Sequence, residues 1–441
     1  MLLLILRYGS CLLIFVGVML RLQKLNLWYN FSYLGVIQVI NFILSLVVIP
    51  YVVHVLGADG FGVIAVAQIL LFYLSVLVDY GFNRTATRDV ALYRLDHRRL
   101  SSIFSTVIMA RLIIAVITFI LLMVLVELVP LFKMHRLVYY FGFSFVLGQA
   151  LLVNWFFQGM EKMKFNAISS LFSRALFVGL VFIFIKQKDQ VYLYLFFMGL
   201  GNMVAGLLSI IASRKLYKLT WTKPDRKVIN QEFKEGWHFT VSNLSMTTIQ
   251  YGGLFILRLF TNDLVVGYYS IAEKIYLAMK LMLDVFSQAA YPRVCILLNE
   301  NAEKVRGFFK NSYTFFLLMI FAGASAIFLA AQRVINFFVY QPDPHTAFLL
   351  RVLCIALVIV CLNIPAALVL LAGNHKKDYL RIFSAGLLIS LGANFILAKN
   401  WQATGTVIAT LITEVFITAG LYWQLFHIYG QKLNKEAEGA T

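Results

Sequence analysis

Charge is scarce in this chain: 13% of its 441 residues are Asp, Glu, Lys or Arg, against 61% hydrophobic. An average soluble domain carries about 25% charged residues, so a water-soluble surface is excluded and a polytopic membrane protein is expected. Proline is scarce too, at seven, which disfavours the turn-rich membrane β-barrel and leaves helices to satisfy the backbone in lipid. There are only four cysteines, Cys11, Cys295, Cys354 and Cys361, with no Cys-x-x-Cys pair and no histidine nearby to complete a site. Neither a metal centre nor a cofactor is expected, and all four read as small apolar residues. Cys354 and Cys361 stand seven apart on one helix, about 10 Å at 1.5 Å per residue, which is too far for a disulfide. Acidic residues number 20 against 38 Lys and Arg. The basic residues fall mostly in short loops between apolar runs, without the basic stripes and interleaved aromatics of a nucleic-acid binder, so no nucleic-acid partner is expected.

What is present is a succession of apolar stretches near the 20 residues that cross a bilayer. Six lie at about 31–56, 60–82, 103–129, 138–158, 167–185 and 191–213, and six more at about 238–259, 267–291, 309–331, 346–371, 382–398 and 405–427. The expected fold is all-α, with 12 transmembrane helices in two pseudo-symmetric six-helix lobes around a central cleft. The lobes are residues 23–213 and 238–427, joined by the polar connection 214–237 and followed by a tail, 428–441. Residues 1–22 fit poorly. Arg7 interrupts them and leaves the 13-residue run Tyr8 to Leu20, too short to span. The segment reads either as a dispensable leader, with Met19 an alternative start, or as an interfacial or extra helix. One set of loops holds only Lys133, Arg136, Lys186, Lys188, Arg333 and Lys399, while the other holds most of the remaining Lys and Arg. The positive-inside rule makes the rich side cytoplasmic, with both termini inside.

An internal repeat organises the charges buried in the spans. An offset of 205 residues aligns Gly62 with Gly267, Gln68 with Glu273, Ser75 with Lys280, Asp79 with Asp284 and Arg88 with Arg293, and an offset of 214 aligns Gly159 with Gly373 and Lys162 with Lys376. An even number of spans per repeat makes the halves parallel, with a substrate path expected between them. At 100° per residue, Glu273, Lys280 and Asp284 fall within about 40° of one another, and Gln288 extends the stripe. Gln68, Ser75 and Asp79 form the matching stripe. The competing structural reading is that Lys280 and Asp284, four apart, neutralise each other. Lys274, about 100° off the stripe, is expected to pack or snorkel. Arg111, Arg174, Arg258 and Arg351 complete the candidate cationic set with Lys280, although snorkelling also suits arginines near helix ends. Gln68, Asp79, Glu273, Asp284 and Glu414 form the candidate polar or coupling set, with Glu414 a candidate proton carrier midway along its helix. The stretch "TVSNLSMTTIQ", Thr240 to Gln250, is too polar to face lipid all round and is expected to line the cleft.

Four stretches resemble a known family: "NFSYLGVIQVINFILSLVVIPYVVHVLGADGFGVIAVAQ" (Asn30 to Gln68), "DYGFNRTATRDVA" (Asp79 to Ala91), "WFFQGMEKMKFNAIS" (Trp155 to Ser169) and "VGYYSIAEKI" (Val266 to Ile275). The chain, from about Lys24 onward, resembles the Wzx-type O-antigen flippases, the polysaccharide-transport branch of the multidrug, oligosaccharidyl-lipid and polysaccharide exporter superfamily. The resemblance implies a flippase in a bacterial cytoplasmic membrane, carrying a polyprenyl-pyrophosphate-linked oligosaccharide between leaflets. Membrane lipid is then a partner, and polysaccharide polymerase and chain-length machinery are candidate protein partners. Physics agrees with that implication, because a pyrophosphate bearing sugars cannot shed its hydration into hydrocarbon unaided. A cationic, water-filled cleft would replace the lost water, and guanidinium groups suit phosphate.

Rival readings remain open on the sequence. A membrane glycosyltransferase or polymerase would need a catalytic constellation, and no convincing carboxylate pair is found. His54, His238 and His375 lie near helix ends without paired carboxylates, so no enzyme is expected. A cation-coupled drug antiporter of the same superfamily should favour a net acidic cleft, whereas the buried set here has Arg and Lys in excess. A lipid-linked peptidoglycan precursor is a third possible cargo for the same mechanics.

Overall fold

The computed structural model describes residues 26–223, 226–339 and 344–438; of these, the side chains of 26–39, 41–43, 45, 46, 226–229, 231, 299, 302 and 429–438 lie outside the description. The leader 1–22 lies outside the described residues. The described chain is helical, with no strand. In chain order the helices are α1 (Asn26–Asp79), α2 (Phe82–Leu92), α3 (His97–Leu128), α4 (Pro130–Lys133), α5 (Arg136–Leu151), α6 (Asn154–Gly159), α7 (Met163–Phe184), α8 (Val191–Tyr217) and α9 (Arg226–Phe260). The rest are α10 (Asp263–Glu300), α11 (Ala302–Phe308), α12 (Thr314–Phe338), α13 (Pro344–Ala372) and α14 (Lys376–Glu438).

Nine helical stretches among the described residues are long and apolar enough to cross a membrane. Two of them are divided. Gly57 leaves the helical region at φ 80°, ψ 166° inside α1, which glycine tolerates because it has no Cβ. Gln402, at φ 50°, ψ −129°, does the same inside α14. Helix α9, which carries the Thr240 to Gln250 stretch, is not one of the nine. The described helices thus give nine candidate spans against the twelve expected, with α9 outside the nine.

Helix starts follow local chemistry. The Asp96 side chain accepts from the backbone N–H groups of Arg98 and Arg99 and starts α3, and Asn262 accepts from Val265 N and starts α10, satisfying donors that a helix start leaves orphaned. One expected span is interrupted. The segment 138–158 breaks at Leu152 and Val153, between α5 and α6. The break frees the Leu152 carbonyl, and Arg111 Nη1 donates to it at 2.7 Å. Another span begins differently from expectation, because Phe309–Tyr313 forms a π-helical turn before α12.

The repeat is visible as a reciprocal contact. A Cβ on Gly62 would stand 1.9 Å from the Asp263 carbonyl oxygen, and a Cβ on Gly267 would stand 1.8 Å from that of Ala58. Ala58 and Asp263 are themselves 205 apart, as are Gly62 and Gly267. Each glycine therefore touches the repeat mate of the residue its own mate touches, which is the reciprocity a two-fold axis imposes. This crossing of α1 and α10 closes one end of the bundle. The same end carries few basic loops, and there His135 Nε2 approaches Asp263 Oδ2 at 3.3 Å. The opposite, basic end gathers α2, α6 and the start of α9: Arg88 pairs with Glu235 at 2.6 Å, Arg94 with Glu161 at 3.2 Å, and Thr85 donates to Glu232.

Candidate functional site

Between the lobes lies a cavity of about 910 Å³. Its lining runs from Ile49 and Phe61, near the closed end, to His238 and Leu380, near the basic end. The polar stretch of α9 faces it through Ser242, Ser245 and Gln250, as that composition required. Helix α1 contributes Gln68, α7 contributes Arg174, and α10 contributes Lys274, Lys280 and Asp284. Arg174, Lys274 and Lys280 are thus set against Asp284, a net cationic surface.

Lys274 does not pack or snorkel as its helical phase led us to expect. It lines the cavity and donates from Nζ to Gln68 Oε1 at 3.2 Å. The cavity wraps round more of α10 than one narrow stripe, so a residue 100° away still reaches it. Neither Arg174 nor Lys274 forms an ion pair among the described residues. Lys280 is paired, but not with Asp284. Its Nζ lies 3.4 Å from Glu414 Oε1, across on α14, and 5.7 Å from the Tyr276 ring centroid. The Lys280–Asp284 neutralisation considered on the sequence is therefore not the ion pair the structure forms.

Glu273 shares the stripe but faces elsewhere. It is 5% exposed and borders a separate chamber of about 60 Å³ with Lys280, Asn394, Thr413 and Glu414. Its Oε2, the Asn394 Oδ1 and the Tyr276 hydroxyl have no hydrogen-bond partner among the described residues. Glu414 belongs to this chamber and to the ion pair with Lys280, so Lys280 joins the chamber to the main cavity.

Four other candidates lie away from the main cavity. Arg111, 3% exposed, pairs with Asp79 Oδ1 at 2.8 Å, so both serve the α1–α3–α5 junction. Removing one partner of such a pair costs about 3–5 kcal/mol by leaving a buried charge uncompensated. Arg258 is held at the closed end by Asp263 at 2.7 Å and by the Thr261 carbonyl at 2.7 Å. Arg351 lies against Phe328, 6.0 Å from its ring centroid. Sequence reasoning missed Tyr194, Tyr251 and Tyr379, which line the cavity. Tyrosine is frequent at membrane interfaces, so its presence in a span gives little signal without the fold. Among the described residues no three His, Cys, Asp or Glu side chains gather as a metal site.

A bundle of this kind, with paired helical repeats about a central cavity that carries cationic, amide and hydroxyl side chains, defines the class of helical membrane transporters. Solved structures show the same fold. Lipid II flippase MurJ in an inward closed conformation matches with a TM-score of 0.69 at 12% identity, over 89% of this chain and 87% of that one. An inward-facing multidrug resistance MATE family transporter of the MOP superfamily matches with a TM-score of 0.66 at 15% identity, over 89% and 99%. Within that class, the chain belongs to the polysaccharide biosynthesis protein family, which matches residues 27–298. Relatives named "Putative O-antigen transporter" occur in Escherichia coli (strain K12), 29% identical over 90% of this chain and 96% of the relative, and in Shigella dysenteriae, 27% identical over 88% and 97%.

Proposed function

We propose that this chain is a flippase that moves a polyprenyl-pyrophosphate-linked oligosaccharide, an O-antigen or other surface-polysaccharide repeat unit, across the bacterial cytoplasmic membrane by alternating access. The observation that carries the proposal is that Arg174 and Lys274 form no ion pair among the described residues and line a cavity in which Asp284 is the one carboxylate among those residues. A guanidinium and an ammonium that face one cavity without a close ion pair repel each other and favour an anion. A drug antiporter's cationic cargo would meet that same surface unfavourably. The names of the relatives and of the flippase with the same fold support this choice of cargo.

In this reading the two lobes, residues 23–213 and 238–427, rock about the Gly62–Gly267 crossing while the cavity holds the pyrophosphate and sugars. The polyprenyl tail stays in lipid throughout. Lys274, with Arg174, replaces hydration lost by the phosphates, and the serines and amides of α9 meet sugar hydroxyls. No bond is made or broken in the cargo. The basic end faces the cytoplasm by the positive-inside rule, and the lipid-linked polymerase and chain-length machinery would receive the cargo on the other face.

The test is complementation of a flippase-deficient strain, reading surface polysaccharide normalised to this protein in the membrane. The double substitution Arg174→Gln with Lys274→Gln should lower output at least about tenfold, the effect of losing charge-assisted contacts worth about 1.5–3 kcal/mol each, with abundance within about twofold. Lys274→Arg, which keeps charge, should retain more output than Lys274→Gln. Normal output from the double variant would refute an anionic cargo in this cavity.

A further inference from the structure

The first lobe contains a second cavity, of about 270 Å³, that the central one does not require. Gln149 on α5, Ser169 and Ser173 on α7 and Asn202 on α8 line it, with Phe72, Phe145 and Phe177 as apolar walls. Gln68, Arg174 and Met198 line both cavities. These three side chains, Arg174 among them, lie where the two cavities adjoin.

Primary amides at membrane depth are costly unless something satisfies them. Asn202 accepts from Ser173 Oγ at 2.6 Å, which occupies one side of its amide. Gln149 makes no hydrogen bond among the described residues. No carboxylate among the described residues lines the cavity, and with Arg174 beside it a proton carrier or a metal ion has nothing there to hold it. What suits amides, hydroxyls and aromatic rings together is a sugar ring, whose hydroxyls donate and accept while its C–H faces pack on apolar surface. The space equals about nine waters at roughly 30 Å³ each, enough for one pyranose and too small for a repeat unit of several.

We propose that this side cavity is the seat of the one sugar directly attached to the pyrophosphate. That sugar turns aside into the first lobe, the pyrophosphate crosses Arg174 where the two cavities adjoin, and the remaining sugars occupy the central cavity. The proposal rests on the flippase reading and adds to it a place where the proximal sugar is read. Gln149 and Asn202 are the specificity-determining residues.

The experiment uses full-length protein freed of its four native cysteines, carrying one of Gln149→Cys, Asn202→Cys, Ser169→Cys or, in the central cavity, Ser245→Cys. Ser169→Cys is nearly isosteric and reads the side cavity even if an amide variant fails to insert. N-ethylmaleimide labelling is timed in inside-out membrane vesicles of three kinds: from cells that accumulate the lipid-linked repeat unit, from cells that cannot attach its first sugar, and from the latter with undecaprenyl pyrophosphate added. The side-cavity thiols should be slowed about threefold, the protection given by cargo at twice its Kd, in the first kind alone. The Ser245→Cys thiol should be slowed in the first kind as well. Protection at Ser245→Cys without protection of any side-cavity thiol overturns the sugar seat and leaves the flippase reading standing. Equal protection of the side-cavity thiols by sugar-free undecaprenyl pyrophosphate overturns it also, because the cavity would then hold phosphate. Protection nowhere overturns both readings.

Discussion

Lys274 and Glu273 are neighbours in sequence, yet one lines the central cavity and the other borders a smaller chamber beside it. Side-chain environment at this scale follows the fold more than the residue. Glu232 gives a direct test of such an environment. It lies ahead of the α9 segment that faces the cavity, is 2% exposed, and accepts from Thr85 through Oε2 while Oε1 has no partner among the described residues. Burial pushes its carboxyl up to about 7. An unfolded glutamate ionises near 4.3, so between those values the folded protein binds the extra proton, and stability falls as pH rises through the window. Glu232→Gln removes that dependence. Its stability relative to the parent protein should rise by about 2–3 kcal/mol from pH 5 to pH 8, measured by thermal unfolding in one detergent. A difference that does not change with pH would show that Glu232 titrates normally. Gln68, Lys280 and Asp284 were legible as cavity residues from helical phase alone. Arg111 was not, since its partner Asp79 is on a different helix and the carbonyl it satisfies exists only because a helix breaks at Leu152.

At the scale of elements, hydropathy located the apolar helices and local chemistry located their starts. The sequence also gave the repeat through its offset of 205, but not that its paired glycines meet each other. Two glycines 205 apart are unremarkable until the fold brings each against a carbonyl. The break between α5 and α6 and the π turn at Phe309–Tyr313 were also illegible, because no proline or glycine stands at either place. The Gly62 contact can be tested by size. Gly62→Val places a side chain against the Asp263 carbonyl, and overpacking costs about 1–3 kcal/mol, enough to move the closed-to-open ratio about fivefold or more. Membrane abundance should persist while surface polysaccharide falls. A thiol at Ser245→Cys should become more reactive toward an impermeant reagent in intact cells. Normal output with unchanged labelling would show that closure of this end does not depend on the crossing.

For the whole molecule, the distribution of basic residues states an orientation. Thiols introduced at His135→Cys and Gln187→Cys, in a cysteine-free background, should react with an impermeant reagent in intact cells, and those at Arg94→Cys and Lys162→Cys should react after lysis alone; the reverse pattern would invert the topology. Class and family were legible from composition, span count and the quoted stretches, because bilayer thickness and backbone hydrogen bonding leave a membrane chain few architectures. The cavity's charge balance was only half legible, since it depends on which cations find partners. Arg174 and Lys274 find no ion-pair partner among the described residues, and the account of cargo rests on them. The most direct measurement is flipping itself: purified protein in proteoliposomes, loaded with the native lipid-linked repeat unit in both leaflets, with the glycan in the outer leaflet removed by an impermeant glycosidase. Protein-containing liposomes should lose nearly all the glycan as inner-leaflet cargo is brought out, and the Arg174→Gln, Lys274→Gln variant should stop at about half, the share present outside at the start in two leaflets of equal area. Loss stopping at half with the parent protein, or complete loss with the double variant, would contradict the account.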